Sequence, residues 1–260
     1  MFDQRFESWL KTNERPAWLP TAVRSARSSG GATLSIGTDG SILVSGENPE
    51  QETTTLVIWT EAQKIGGIRI EMLPHPDLPG SGSGRSENGN FVLSEFTAVA
   101  VPAEDLSATR SLEFPRATAS FSQQGWAIGG SVDGKRETGW AVMPRLSERH
   151  EAVFALAEPF ETPGGAVLVV TLEQHHGKLH TLGQFRISVT EAQGPAASAL
   201  PAPVLAALET PRNQRTPEQV ETLVAHLLGT DADLRKRIRL AATRDLAWAL
   251  ANSPGFLFNR

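Results

Sequence analysis

The residues best suited to chemistry in this chain lie in and around residues 78–96, where a glycine- and serine-rich loop runs into Asn90-Phe91-Val92-Leu93-Ser94-Glu95-Phe96. Arg85, Glu87, Asn88 and Asn90 are donors and acceptors of the kind that meet sugar hydroxyls, and Phe91 or Trp126 offers a ring for stacking. A polar loop on a β scaffold is a common seat for a binding site. The plainer reading of the same residues is a turn at Asn88-Gly89 with Arg85 paired to a nearby carboxylate, and loops of this composition are more often of that kind.

Other side chains suggest other chemistries. His175, His176 and His180 are imidazoles at a spacing that crosses a tight turn, as in zinc or copper sites. Adjacent histidines point to opposite faces of a strand, however, so His180 is expected to bond within a hairpin instead. Glu95, Glu113, Asp133 and Glu173 are the acids from which a glycosidase pair would be drawn, yet their spacing joins no two of them. Ser94 and Ser131 lack the context of a nucleophile elbow. Of six tryptophans, Trp18 and Trp126 are flanked by loop residues and are expected to be exposed, whereas Trp59 and Trp248 fall in patterns that call for core packing. The cationic run 235–239 reads as a solvated helix face.

The elements that must carry these residues are mostly strands. Phe2, Phe6, Trp9 and Leu10 recur at helical spacing before Pro16, so residues 2–12 are expected to form a short amphipathic helix. Strands are then expected over 32–36, 41–45, 53–60, 65–73, 90–101, 117–121, 148–156, 166–173 and 183–190. Turns at Thr38-Asp39-Gly40, Asp133-Gly134, Pro163-Gly164-Gly165 and His176-Gly177-Lys178 divide several of them. In residues 65–73, Ile68, Ile70 and Met72 mark a buried side, and Arg69 and Glu71 a wet one. About nine closely spaced strands without long helices between them imply a mainly β, antiparallel sandwich or jelly roll.

The expected organisation is an N-terminal helix and lead-in over 1–20, a β-sandwich over 21–192, a linker over 193–203 rich in Ala, Pro, Gly and Ser, and a C-terminal helical appendage over 204–260. Thr216-Pro217-Glu218-Gln219 offers a capping box, with Gly229 as the stop. Asp231 caps a second helix whose stripe is Leu234, Ile238, Ala241, Ala242, Asp245 and Trp248, and Ser253-Pro254 breaks it. The aromatic run 255–260 would normally dock on something.

Composition narrows the functions. A net charge of -5 and a pI near 5.7 argue against a nucleic-acid partner. The absence of cysteine removes disulfides, thiol catalysis, zinc-thiolate sites and covalent haem attachment, so no haem is expected. The charged opening residues read as neither a signal peptide nor a membrane span.

Several phrases resemble the large secreted proteins of Planctomycetes that join a cytochrome-c-like module to domains of unknown function. They include residues 89–96, Val132-Asp133-Gly134 with Thr138-Gly139-Trp140, residues 180–190, and residues 245–250 with 256–259. The β region of that family is similar to galactose-binding-like jelly rolls of the discoidin type. The resemblance implies a periplasmic or extracellular setting, neighbouring domains of a larger protein, and loops at one end of the sandwich that bind glycan. It further implies a structural calcium loop in which Asp133 and Thr138 are ligands, although Lys135-Arg136 place two cations where a hard ion prefers oxygen donors. The expectation is a non-catalytic carbohydrate-binding module, with no catalytic residues and with Arg85, Glu87, Asn88, Asn90 and Trp126 as the ligand set. The alternatives are a scaffold without a ligand of its own and, least favoured, a glycoside hydrolase.

Overall fold

The computed structural model describes residues 2–251, with side chains as far as residue 244. The side chains of Asp245 and Trp248, the break at Ser253-Pro254 and the run 255–260 lie outside the described residues. The chain divides into two compact units, Pro16–Ala199 and a second made of Met1–Arg15 with Leu200–Arg260.

In the larger unit, strands β1 (Leu19–Pro20), β2 (Ala22–Ser28), β3 (Ala32–Ile36), β4 (Ser41–Gly46), β5 (Glu52–Thr60) and β6 (Lys64–Met72) precede the polar loop. β7 (Glu95–Pro102), β8 (Arg110–Leu112), β9 (Arg116–Ala119), β10 (His150–Glu161), β11 (Ala166–Gln174) and β12 (Gln184–Thr190) follow it. One sheet has the order β3-β4-β12-β6-β10-β9, with β1 beside β12, and the other β2-β5-β11-β7-β8. The pairings are antiparallel. The unit is therefore the antiparallel β-sandwich that the strand spacing implies. The polar segment before Glu95 bonds irregularly rather than extending β7. β2 and β8 are strands that the alternation pattern did not pick out.

Register explains the core. Ile68, Ile70 and Met72 lie opposite Val189, Ile187 and Phe185, so one face of the larger sheet is a continuous apolar layer. Leu56, Ile58, Leu168, Val170, Leu172, Ala98 and Ala100 form the facing layer of the other. Phe96 and Phe154 stack between them with ring centroids 3.8 Å apart. Each such ring contributes about 1.5–3 kcal/mol by leaving water.

The expectation of a wet side at Arg69 and Glu71 is corrected. Arg69 is only 5% exposed and Glu71 is fully buried. Glu71 meets Arg186 at 2.9 and 3.2 Å, Arg69 at 3.5 Å, and Arg149 in a very short contact. Glu151 faces Arg69 at 3.4 Å and accepts the Ser198 amide at 2.8 Å. The indole of Trp18 lies 4.7 Å from the Arg69 guanidinium. Charges survive burial only when paired and hydrogen-bonded, and here opposite charges on neighbouring strands, capped by chain segments, meet that condition.

The smaller unit holds α1 (Phe2–Thr12), α2 (Ala202–Glu209), α3 (Pro217–Thr230) and α4 (Ala232–Ala251). α2 begins inside the stretch expected as a linker. Phe6, Trp9 and Leu10 of α1 pack on Val204, Ala207, Leu208 and Leu223, which supplies the partner its apolar face requires. Glu7 pairs with Arg212, and Arg5 with Asp231 at 3.7 Å. The Thr216–Gln219 capping box forms as the sequence predicts, although α3 runs to Thr230, past Gly229. Asp231 caps α4 through the Leu234 amide at 2.9 Å. Of the expected α4 stripe, Leu234 is buried whereas Ile238, Ala241 and Ala242 are exposed. Among the described residues, no helix is long and apolar enough to cross a membrane.

Candidate functional site

The polar loop is held by its own backbone. Gly84 donates to the Gly89 carbonyl at 3.0 Å, Gly89 to Ser86 at 2.8 Å, and His75 to Gly82 at 3.0 Å. A Cβ at Gly82, Gly84 or Gly89 would collide with a backbone carbonyl across the loop, so these glycines permit close packing rather than motion. The turn at Asn88-Gly89 forms, with φ +82° at Gly89.

The side chains of the expected ligand set are engaged to different degrees. Arg85 donates to the carbonyls of Glu47 and Gly46, at 2.7 and 2.6 Å, rather than to a carboxylate. Asn88 accepts from the Ser86 hydroxyl at 2.7 Å and the Asn90 amide at 3.0 Å, fastening the turn. Asn90 is 3% exposed, donates to Gln123 Oε1 at 3.1 Å and accepts from the Val142 amide at 3.3 Å. Glu87 is exposed at the turn. Trp126, half-buried, donates its backbone N–H to the Gln123 carbonyl at 2.9 Å. Gln123 thus joins Asn90 to Trp126, while Arg85 reaches toward β4. Sequence spacing gave no sign of Gln123, because it meets Asn90 from a loop more than thirty residues away.

Trp126 heads a short aromatic series. Its ring meets His176 edge-on at 4.7 Å, and His176 meets His180 at 5.1 Å and 81°. His180 Nδ1 lies 3.2 Å from the Gly177 carbonyl, within the hairpin turn. Burial, with the charges of His180 and Lys178, holds His176 below the ordinary histidine pKa, so the ring is neutral at pH 7. His175 leaves this group: Nε2 lies 3.2 Å from Thr53 Oγ1, and Nδ1 lies 3.2 Å from a Glu173 oxygen without a hydrogen bond. Among the described residues, no three His, Asp or Glu side chains gather as a metal cluster.

Glu95 and Asp133, which spacing did not join, do meet. The Lys135 amide donates to Glu95 Oε1 at 2.9 Å and to Asp133 Oδ1 at 3.0 Å. Thr138 donates its hydroxyl to Asp133 at 2.8 Å. Burial, reinforced by Asp133, raises the Glu95 pKa against the pull of the Lys135 and Gly134 amides. Burial also acts on Asp133 but is outweighed by Thr138 and Lys135, which hold that carboxyl low. Thr138 and Asp133 therefore staple their loop to each other. Ser94 accepts the His175 amide at 3.0 Å and Ser131 donates to the Ile128 carbonyl at 2.8 Å, so both serines serve the local backbone.

The tryptophan assignments change: Trp18 and Trp126, expected to be exposed, are half-buried. Trp59 does not enter the core. It lies on the outer face of the five-stranded sheet, level with Ala22, Val167 and Val101. Among the described side chains, Trp140 is the fully buried tryptophan, its Nε1 donating to the Phe121 carbonyl at 2.9 Å. The α4 cations Arg235, Lys236 and Arg239 are exposed around a shallow depression beside Leu240. In comparisons with family models, with curated proteins and with solved structures, nothing matches this chain.

Proposed function

We propose that the β-sandwich is a non-catalytic recognition module that binds glycan at its loop end. The observation that carries this reading is the partly exposed series Trp126, His176 and His180, backed by Gln123 and the buried Asn90. An aromatic face beside the His176 imidazole suits the C–H face and hydroxyls of a sugar ring. The polar atoms of Asn90 hold the platform in place, and Glu87 stands at its rim. Glu95 and Asp133 support the non-catalytic reading, because Glu95 Oε1 accepts a loop amide and Asp133 Oδ1 accepts both that amide and the Thr138 hydroxyl. With the proposal goes the expectation that the parent protein is exported and that a structural cation, if bound, lies at Asp133 and Thr138.

A second reading has an observation of its own. Arg85, Asn88 and Asn90 each make side-chain hydrogen bonds within the protein, as expected of a scaffold that only positions neighbouring domains. Affinity electrophoresis in polysaccharide gels, with calcium and with chelator, separates the two. The proposal expects retardation that Trp126→Ala removes, whereas unretarded migration in every gel leaves the scaffold. Turnover of a polysaccharide that Glu95→Gln or Asp133→Asn abolishes would establish a hydrolase instead.

A further inference from the structure

A different part of the sandwich carries a second site. Within residues 19–22 the chain steps from one sheet to the other: Pro20 lies opposite Ser188 on β12, and Ala22 opposite Trp59 on β5. A cavity flanks this step on each side, one of about 210 Å³ walled by Trp18 and one of about 330 Å³ walled by Trp59. Both are lined by Pro20 and Thr21. At roughly 30 Å³ per water, each has room for a ligand of monosaccharide size rather than a drug-sized one.

The chemistry of the two cavities differs in a complementary way. The Trp18 cavity is polar. Asp39 and Arg186 face each other at 3.3 Å, with side chains 56% and 30% exposed. Ser188 accepts from Arg69 Nε at 3.0 Å, which leaves its own hydroxyl hydrogen to be donated. The charges lining this cavity, Arg69 and Arg186 against Asp39 and Glu71, balance, so an ionic ligand would meet a like charge whichever its sign. The Trp59 cavity is mainly apolar, from the indole, Leu19 and Ala22, with the exposed Glu61 as its charged acceptor. A donor–acceptor pair beside one indole and an apolar wall with a single acceptor beside the other, on either side of residues 19–22, match the alternation of hydroxyl edges and C–H faces along a sugar chain.

We infer that the two cavities flanking residues 19–22 form a groove for a neutral oligosaccharide, with one sugar ring against Trp18 and another against Trp59. This groove is separate from the loop end, and neither site requires the other.

The test is calorimetric titration of the full chain with neutral gluco-, galacto- and xylo-oligosaccharides of increasing length, beside a sulfated oligosaccharide. Affinity should rise with length until both cavities are filled. Trp59→Ala and Glu61→Gln should weaken the longer ligands about tenfold while sparing monosaccharides, and Ser188→Ala and Asp39→Asn should weaken every length by about tenfold, the worth of ~1.4 kcal/mol. Circular dichroism checks that each variant is folded, and Trp59→Phe replaces Trp59→Ala if the latter is not. Absence of neutral-ligand binding, affinity independent of length, preference for the sulfated ligand, or loss confined to Trp126→Ala would each overturn the groove. Loss confined to Trp126→Ala would at the same time support the loop-end site.

Discussion

On the outer face of the seven-stranded sheet, Arg69, Glu71, Glu151 and Arg186 take the kind of position that Val57, Trp59, Val167 and Val169 hold on the outer face of the five-stranded sheet. Both sheets bury an apolar inner layer of similar make. The first outer face is charged and roofed by Trp18 and the segment around Ser198, while the second is uncharged at its centre and half-exposed. Polarity in a strand therefore does not report exposure. A charged row goes under cover where neighbouring strands supply its counter-ions, and a valine row stays outside where nothing in the unit roofs it.

The sharpest way to break this comparison is to remove one charge from the roofed face. Glu71→Gln leaves Arg69, Arg149 and Arg186 facing a neutral amide, and a loss of about 3–5 kcal/mol is expected in urea unfolding. A loss below ~1 kcal/mol would mean that the network is solvated after all. Removing the roof should cost less: Trp18→Ala, which strips the indole from Arg69, is expected to lower stability by about 2 kcal/mol.

Acidity probes the same face with a sign that can be worked out. Burial pushes the Glu71 pKa up, but the Arg186 hydrogen bond and the charges of Arg69, Arg149 and Arg186 outweigh it and hold the carboxyl below its ordinary value. Its stabilisation is then complete above the unfolded-state pKa and is lost as pH falls through the depressed one. Glu95 runs the other way. Its raised pKa gives stability that is present below the ordinary glutamate value and lost as pH climbs through the raised one. Urea midpoints measured against pH should therefore lose their acid limb in Glu71→Gln and flatten on the alkaline side of that window in Glu95→Gln. The smallest effect belongs to the open face, where Val57→Thr should stay within about 0.5–1 kcal/mol of the parent by thermal denaturation.

The legible parts of the sequence were those governed by local rules. The Thr38-Asp39-Gly40 hairpin turn, the Thr216–Gln219 capping box and the alternation of Ile68, Ile70 and Met72 each depend on residues a few positions apart. The face of Trp59 was not legible, because Leu56 and Ile58 alternate with Val57 and Trp59 and a strand apolar on both sides has no preferred direction. β2, with Arg, Ser and Ala at most positions, is an edge strand whose composition hides it. The glycines of residues 80–89 mark a loop in the sequence, and only the backbone they approach reveals its close packing. Of the candidate site, the residue types were visible, but the Asn90–Gln123 and Glu95–Asp133 meetings are tertiary and leave no local trace.

The helical unit draws its first helix from one end of the chain and the other three from beyond the sandwich. During synthesis, Phe6, Trp9 and Leu10 leave the ribosome about two hundred residues ahead of Val204 and Leu223, a wait of roughly 10–40 s at ordinary elongation rates. For that interval an aromatic helix face has no native partner, so the nascent chain should be most dependent on chaperone shelter while its sheets are already being assembled.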